Sequence, residues 1–332
     1  MFNSTRRGLK RFAFTSAAVC FSMTSMNVWS QSFPNRPITI IVPIAAGGST
    51  DVLTRMVAAH MSKTLGQPVV VDNVSGAGGI IGSAKGARSP ADGYTLVAGS
   101  SGSQASSYSV YEKMPYTPDS FSQIGLTAII PALIVVTKSL PVKNLQELIA
   151  YAKANPGKVS LGNPGVGTSG HLQCEFFKAT TGSDFALVPY RGAGPMITDL
   201  ISGQIQGACD ATPSSSPAVQ GGYIRAIATL GSERASSMPD VPTTVEQGMP
   251  QLQAPAWIGL SAPKGTPQAT LLTLEKALSV ALDDPIVRAG IQKLGANVPT
   301  PKQRGLKYTE DFVRDEVVKW AVLAKAANLV KQ

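Results

Sequence analysis

The chain has 332 residues, 43% hydrophobic and 15% charged, a globular composition that excludes a disordered polypeptide and leaves room for two domains. Its formal charge is +9, but the excess is scattered with no run of five basic residues, so nucleic acid is not implied as a partner. With two histidines, three cysteines and no C-x-x-C, no metal-ligand cluster forms, and neither a metal nor a cofactor is expected.

At the N-terminus Arg6, Arg7, Lys10 and Arg11 precede a mostly apolar stretch over 12–28, and small or polar residues around Ser30 and Gln31 suit cleavage. This is the pattern of an export signal occupying residues 1–30. Ser16, Ser22, Thr24, Ser25 and Asn27 interrupt the stretch, which is too weakly apolar to span a membrane. The paired arginines leave general and twin-arginine export both open. Val19 stands before Cys20, where a lipoprotein signal wants a small residue, which argues against lipidation. Removing this segment lowers the formal charge to +5, a mild field that suits a small anionic ligand.

Beyond the signal, the β-branched run 38–42 predicts a buried strand, broken by Gly47-Gly48. A helix is predicted over 50–65, with Leu53, Val57 and Met61 on one face, then a strand over 68–71. This β-α-β grammar is the signature of a parallel sheet. Another helix follows the glycine-rich turn at Gly76, and a strand covers 94–98. The grammar recurs after residue 140: a helix over 145–154, a strand over 159–161, a glycine turn and a helix over 171–179. Strands over 185–189, 205–209 and 224–230 and a helix over 195–201 continue it. The C-terminal segment predicts helices over 268–282, 285–294 and 309–327. Two α/β units of similar layout, each with its own glycine turn, predict two lobes. Cys174 and Cys209 are read as two buried thiols, although the export compartment permits a disulfide. Trp257 reads as core or hinge packing.

Two strand-turn-helix junctions carry the candidate chemistry: Pro43-Ile44-Ala45-Ala46-Gly47-Gly48-Ser49-Thr50-Asp51 and Gly162-Asn163-Pro164-Gly165-Val166-Gly167-Thr168-Ser169-Gly170-His171. Each removes side chains where backbone could approach a ligand, and each supplies hydroxyls where a helix starts. First-turn N–H groups lack helical partners and carry partial positive charge, so they attract anions. The competing explanation is capping by Ser49 or Thr50, and by Thr168 or Ser169. The second junction fits the dinucleotide fingerprint G-x-G-x-x-G, but the next strand ends Val188-Pro189-Tyr190-Arg191, without the acid that would hold a ribose. A dinucleotide is therefore not expected. No G-x-S-x-G elbow occurs, and His171 beside Ser169 reads as a surface or core histidine rather than a base. Arg191 and Asp210, each just past a predicted strand, are credible cleft residues, with a salt bridge or cap as the alternative. No catalytic residue is assigned.

These motifs, in order, resemble the periplasmic substrate-binding proteins of tripartite tricarboxylate transporters, the Bug receptors. The matching stretches are IVPIAAGGSTDVLTR, NVSGAGGIIGSAKGARSPADGYTLVAGSS, SLPVKNLQELIAYAKANPGK, GVGTSGHLQCEFFKATTG and VPYRGAGPMITDLISGQIQGACDATPSSSP. RAIATLGSERASSMPDVPTTVEQGMP, WIGLSAPKGTP and the closing EVVKW complete them, covering residues 33 to 328. The resemblance implies an α/β, two-lobed periplasmic binding protein of type II-like build, each lobe a mostly parallel sheet flanked by helices. It puts lobe one at 33–131 plus 255–332 and lobe two at 132–254, with the ligand cleft between them. It implies a ligand carboxylate held by Ala46, Gly47, Gly48 and Ser49, by Ser100 and Ser101, and by Gly167, Thr168 and Ser169, with Asp210 facing the cleft. The implied partners are a small carboxylate and membrane transporter subunits, with the receptor itself a monomer. A secreted hydrolase or a sensor partner are the alternatives. Ile44, Ala46, Val74-Ser75 and Cys209 depart from residues frequent in the family, so the ligand cannot be carried over from a relative.

Overall fold

The computed structural model describes residues 33–231 and 233–326; the predicted export signal lies outside them. Strand β1 (Ile38–Val42) starts the first of two five-stranded sheets, and all its residues but Thr39 are buried. Helices cover both faces of such a sheet, which is why ITIIV shows no polar alternation. Helix α1 (Ser49–Leu65) places Leu53, Val57 and Met61 on the sheet at 0–1% exposure, and left-handed Gly66 ends it. Strands β2 (Val69–Asn73) and β3 (Thr95–Ser100) flank β1 in parallel, with α2 (Ile80–Ala87) between them in sequence.

After β3 a π-helical stretch, Gly102–Ser106, runs into the short α3 (Ser107–Val110). Strand β4 (Phe121–Ile130) is the far edge of the first sheet. Across Pro131 the chain passes directly into β5 (Ala132–Thr137) of the second sheet. That sheet is completed by α4 (Leu145–Ala154), β6 (Ser160–Asn163), α5 (Ser169–Thr181), β7 (Ala186–Pro189), α6 (Ala193–Ser202), β8 (Gly207–Ala211), α7 (Thr212–Gln220) and β9 (Ile224–Thr229). Strand β10 (Ala256–Pro263) then returns to the first sheet, followed by α8 (Gln268–Asp283), α9 (Pro285–Lys293) and α10 (Leu306–Ala326).

The strand orders are β2-β1-β3-β10-β4 and β7-β6-β8-β5-β9. They correspond place by place: three parallel strands, then one antiparallel to both its neighbours, then the edge. The antiparallel place is filled in each sheet by a strand that has just crossed from the other. This is the two-lobed, mostly parallel α/β architecture expected from the sequence. Trp257 in β10 is 1% exposed, as core packing requires.

The reading of two free thiols is corrected. Cys174 of α5 and Cys209 of β8 form a disulfide, their Cα atoms 5.5 Å apart. Packing α5 on β8 brings the two cysteines within bridging distance, which a separation of 35 residues did not reveal.

Candidate functional site

Because β1, β3, β6 and β8 run parallel within their sheets, the segments that follow them emerge at the carboxyl edges, where doubly wound folds bind ligands. After β1, Ala46 and Gly47 are exposed and Gly48 and Ser49 half-buried. Gly48 is the N-cap of α1, and no side chain bonds to the first turn. Capping by Ser49 or Thr50 is therefore not what these residues do, and the α1 terminus keeps its amide donors. The turn is fixed from behind. Gly47 N–H donates to Asp51 Oδ2 at 2.9 Å, while Asp51 Oδ1 accepts from Arg55 Nε and Asn73 Nδ2, both at 2.9 Å. Burial pushes the Asp51 carboxyl up, but the bonds from Gly47, Arg55 and Asn73 outweigh it and hold its pKa below the ordinary value.

The GVGTSG turn is built differently. Thr168 is the N-cap of α5: its hydroxyl oxygen accepts from His171 N–H at 3.3 Å and donates to Gly165 O at 2.6 Å. Capping thus describes Thr168, whose hydroxyl hydrogen is already engaged. Gly167 has φ +81°, and a Cβ there would lie 2.7 Å from Tyr111 Cε2. The missing side chain makes room for a tyrosine ring, a partner that the sequence did not reveal. Gly170 sits against the second sheet, where a Cβ would lie 2.9 Å from Cys209 O. Ser169, the first residue of α5, is half-buried.

Ser100 shares its hydroxyl with Ser103, receiving the Ser103 N–H at 3.3 Å. Ser101 is fully buried, and its hydroxyl accepts Trp257 N–H at 3.4 Å, so its side chain faces β10. Asp210 is 2% exposed and accepts the hydroxyls of Ser214 and Ser215 on α7 at 2.6 and 2.7 Å. Burial raises its pKa, partly countered by those hydroxyls and by the Ala211 amide. Arg191 is exposed on the segment after β7. The adjacent Tyr190 O lies 3.0 Å from where a Gly165 Cβ would stand. His171 is 6% exposed, with Nε2 3.6 Å from Glu175 Oε1, and burial lowers its pKa. It faces inward on α5.

Residues of the two sheets meet through groups the sequence reading did not select. Ser106 Oγ donates to Gly167 O at 3.2 Å and Tyr111 OH to Val166 O at 3.2 Å. A Cβ on Gly78 would lie 2.9 Å from Val166 O, and one on Gly102 would lie 3.6 Å from Ser169 N. The GVGTSG turn of the second lobe therefore rests on the 76–79 turn and the serine-rich stretch of the first. The available signal was GAGG: Gly76, Gly78 and Gly79 all have positive φ, as does Ala77 at 46°. At Gly78 the absence of a Cβ is needed because the Val166 backbone comes close. Below this contact Leu172 of α5 shares an apolar cluster with Trp257 and Trp320.

Comparison with known proteins gives this geometry a family. The profile described as tripartite tricarboxylate transporter family receptor matches residues 53–329. Protein BugT of Bordetella pertussis is 36% identical over 298 residues, covering 89% of this chain and 90% of its own. The MatC protein of Rhodopseudomonas palustris, solved with bound malate, superposes with a TM-score of 0.82 at 36% identity, covering 88% of this chain and 99% of its own. A second R. palustris protein, solved with adipate, gives 0.85 at 34% identity, covering 90% and 100%. With two matched sheets, turns at their carboxyl edges and similarity along nearly the whole chain, this protein belongs to the tripartite tricarboxylate transporter receptor family.

Proposed function

We propose that this chain is a periplasmic receptor that captures a small carboxylate between its lobes and presents it to the membrane subunits of a tripartite transporter. One observation carries the reading: α1 begins at an exposed glycine turn with no side chain capping it, so its first amides have a free face for an anion. The GVGTSG turn and the start of α5 supply the opposing lobe. In this reading the ligand is held by backbone N–H groups of Ala46, Gly48 and Ser49 and of Gly167 and Ser169, while Gly47 and Thr168, whose own N–H groups close on Asp51 Oδ2 and Gly165 O, shape the two turns. Ser100, Ser101, Asp210 and Arg191 border it. Ser101 contributes backbone only, because its buried side chain faces β10, and Thr168 positions the turn, because its hydroxyl hydrogen is engaged. Lobe one comprises 33–131 and 255–332 and lobe two 132–254, with hinges at Pro131 and near Ala254. Export by the N-terminal segment, a monomeric state and binding without catalysis complete the proposal. That relatives hold malate and adipate supports a dicarboxylate first.

The test is a thermal-shift and calorimetric panel of mono-, di- and tricarboxylates, aliphatic and aromatic. Ligand at about 100 times Kd should add about 2.7 kcal/mol to stability. Stabilisation by neutral sugars and by no carboxylate would overturn the reading.

A further inference from the structure

We infer that Tyr111 is a positioning residue for the binding turn: reaching from the first lobe, it fixes the Val166–Gly167 peptide of the second and thereby the direction of the Gly167 N–H. The inference rests on the receptor reading above. Tyr111 follows α3, and its own N–H donates to Ser107 O at 3.0 Å, so the side chain projects from a bonded helix end. Its hydroxyl donates to Val166 O at 3.2 Å. Its ring lies where a Gly167 side chain would be, 2.7 Å from the Cβ position at Cε2 and 2.8 Å at the hydroxyl oxygen. Gly78 closes the other side, its own Cβ position 3.5 Å from the same hydroxyl. The phenol is wedged between two glycines from different lobes.

A trans peptide is planar, so the N–H of Gly167 points opposite to the C=O of Val166. Holding that carbonyl on Tyr111 aims the Gly167 N–H away from the tyrosine. Among the described residues this N–H donates to no protein group. The next peptide is held as well: Gly167 O accepts Ser106 Oγ at 3.2 Å, and the opposing Thr168 N–H closes the turn on Gly165 O at 3.2 Å. One amide of the turn is used internally and one is presented. Burial raises the pKa of Tyr111, so the phenol remains a donor throughout the neutral range. Because donor and acceptor belong to different lobes, the amide has this fixed direction only while the lobes touch. Closure and ligand affinity are therefore coupled through one hydroxyl.

Tyr111→Phe keeps the ring and removes the hydroxyl. In the ligand-free protein, where the closed form is part of the population, the Gly167 amide resonance should shift, with core amides of both sheets unchanged. Affinity for whichever of malate and adipate the unmodified protein binds should fall about tenfold, the loss expected for one well-placed hydrogen bond. The melting temperature should stay nearly constant. An unmoved Gly167 amide, or a moved amide with unchanged affinity, overturns the inference. If the unmodified protein binds neither acid, the dicarboxylate assignment fails, and the amide measurement alone decides whether Tyr111 positions the turn.

Discussion

Asp51 and Asp210 are equally buried, at 3% and 2% exposure, yet their surroundings pull their protonation in opposite directions. For Asp51, donors from Gly47, Arg55 and Asn73 overcome burial and lower the pKa. A lowered carboxylate contributes stability at neutral pH, which is lost as pH falls below about 3.9, the unfolded value, and through the folded one. For Asp210, burial dominates the donors and raises the pKa. The folded state then binds this proton more tightly, so ionisation costs stability as pH rises from about 3.9 through the folded value. Asp51→Asn should therefore cost roughly 2 kcal/mol at neutral pH and flatten the acid loss. Asp210→Asn still offers a carbonyl oxygen to Ser214 and Ser215 and carries no charge, so neutral-pH stability should hold or rise. Urea unfolding at pH 7 and near pH 3 checks both signs. Matching pH profiles for the two variants would contradict the assignment. Of these residues the sequence made Asp210 visible, because an acid directly after an apolar strand stands out. Asp51 was hidden within a helix, where only the folded turn shows it tied to Gly47.

At the scale of elements, legibility followed the strength of periodicity. Leu53, Val57 and Met61 announce α1, and ITIIV announces β1. By contrast β4 and β5 form one long apolar run divided only by Pro131, and nothing local says that its halves enter different sheets. Helix α7, TPSSSPAVQ, contains two prolines and three serines and reads as a loop. Tertiary bonds sustain it, since Asp210 receives two of its serine hydroxyls and Thr212 N–H bonds Pro131 O at 3.0 Å. The π-helical GSQAS is equally loop-like, and its Gly102 O is satisfied by the hydroxyls of Ser106 and Ser107. The disulfide is a further consequence of packing, joining α5 to β8 one residue before Asp210. Closing a loop of 35 residues constrains the unfolded chain by about 4 kcal/mol. Cys174→Ala with Cys209→Ala should lower unfolding stability by about that much, measured by denaturant titration under non-reducing conditions. Stability equal to that of the unmodified protein would contradict the expected stabilisation by the bridge.

For the whole molecule, the matched strand orders make the two lobes alike, and the bonds from Ser106 and Tyr111 to the Gly167 and Val166 carbonyls bring their carboxyl edges together; the lobes are joined where β4 passes into β5 and where the chain returns into β10. The contacts between them are of two kinds. Near the crossings they are mainly apolar, with Leu172 beside Trp257 and Trp320, whose indole N–H groups both donate to Glu316 Oε2 at 3.0 Å, and the Thr212 N–H reaches Pro131 O. Farther out they are sparse: two hydroxyls on two carbonyls, and glycine against glycine turn. Exchanging water for such polar bonds yields only about 1 kcal/mol each, so without ligand these outer contacts hold the lobes shut for only part of the population. A ligand that bonds both lobes supplies the remainder and shifts the population. A compact chain of about 300 residues has a radius of gyration of about 19 Å. X-ray scattering should show the ligand-free protein above that value and a saturating carboxylate moving it downward. Gly78→Ala supplies the control. Its Cβ would stand 2.9 Å from Val166 O, and Gly78 has φ +62°, so the outer contact cannot form without displacing the opposing turn. This variant should keep the larger radius at ligand concentrations that compact the unmodified protein, and should bind more weakly. A radius that does not change when the unmodified protein is saturated would mean that the lobes do not close on the ligand. Equal compaction of Gly78→Ala would mean that closure does not pass through the turn at Val166.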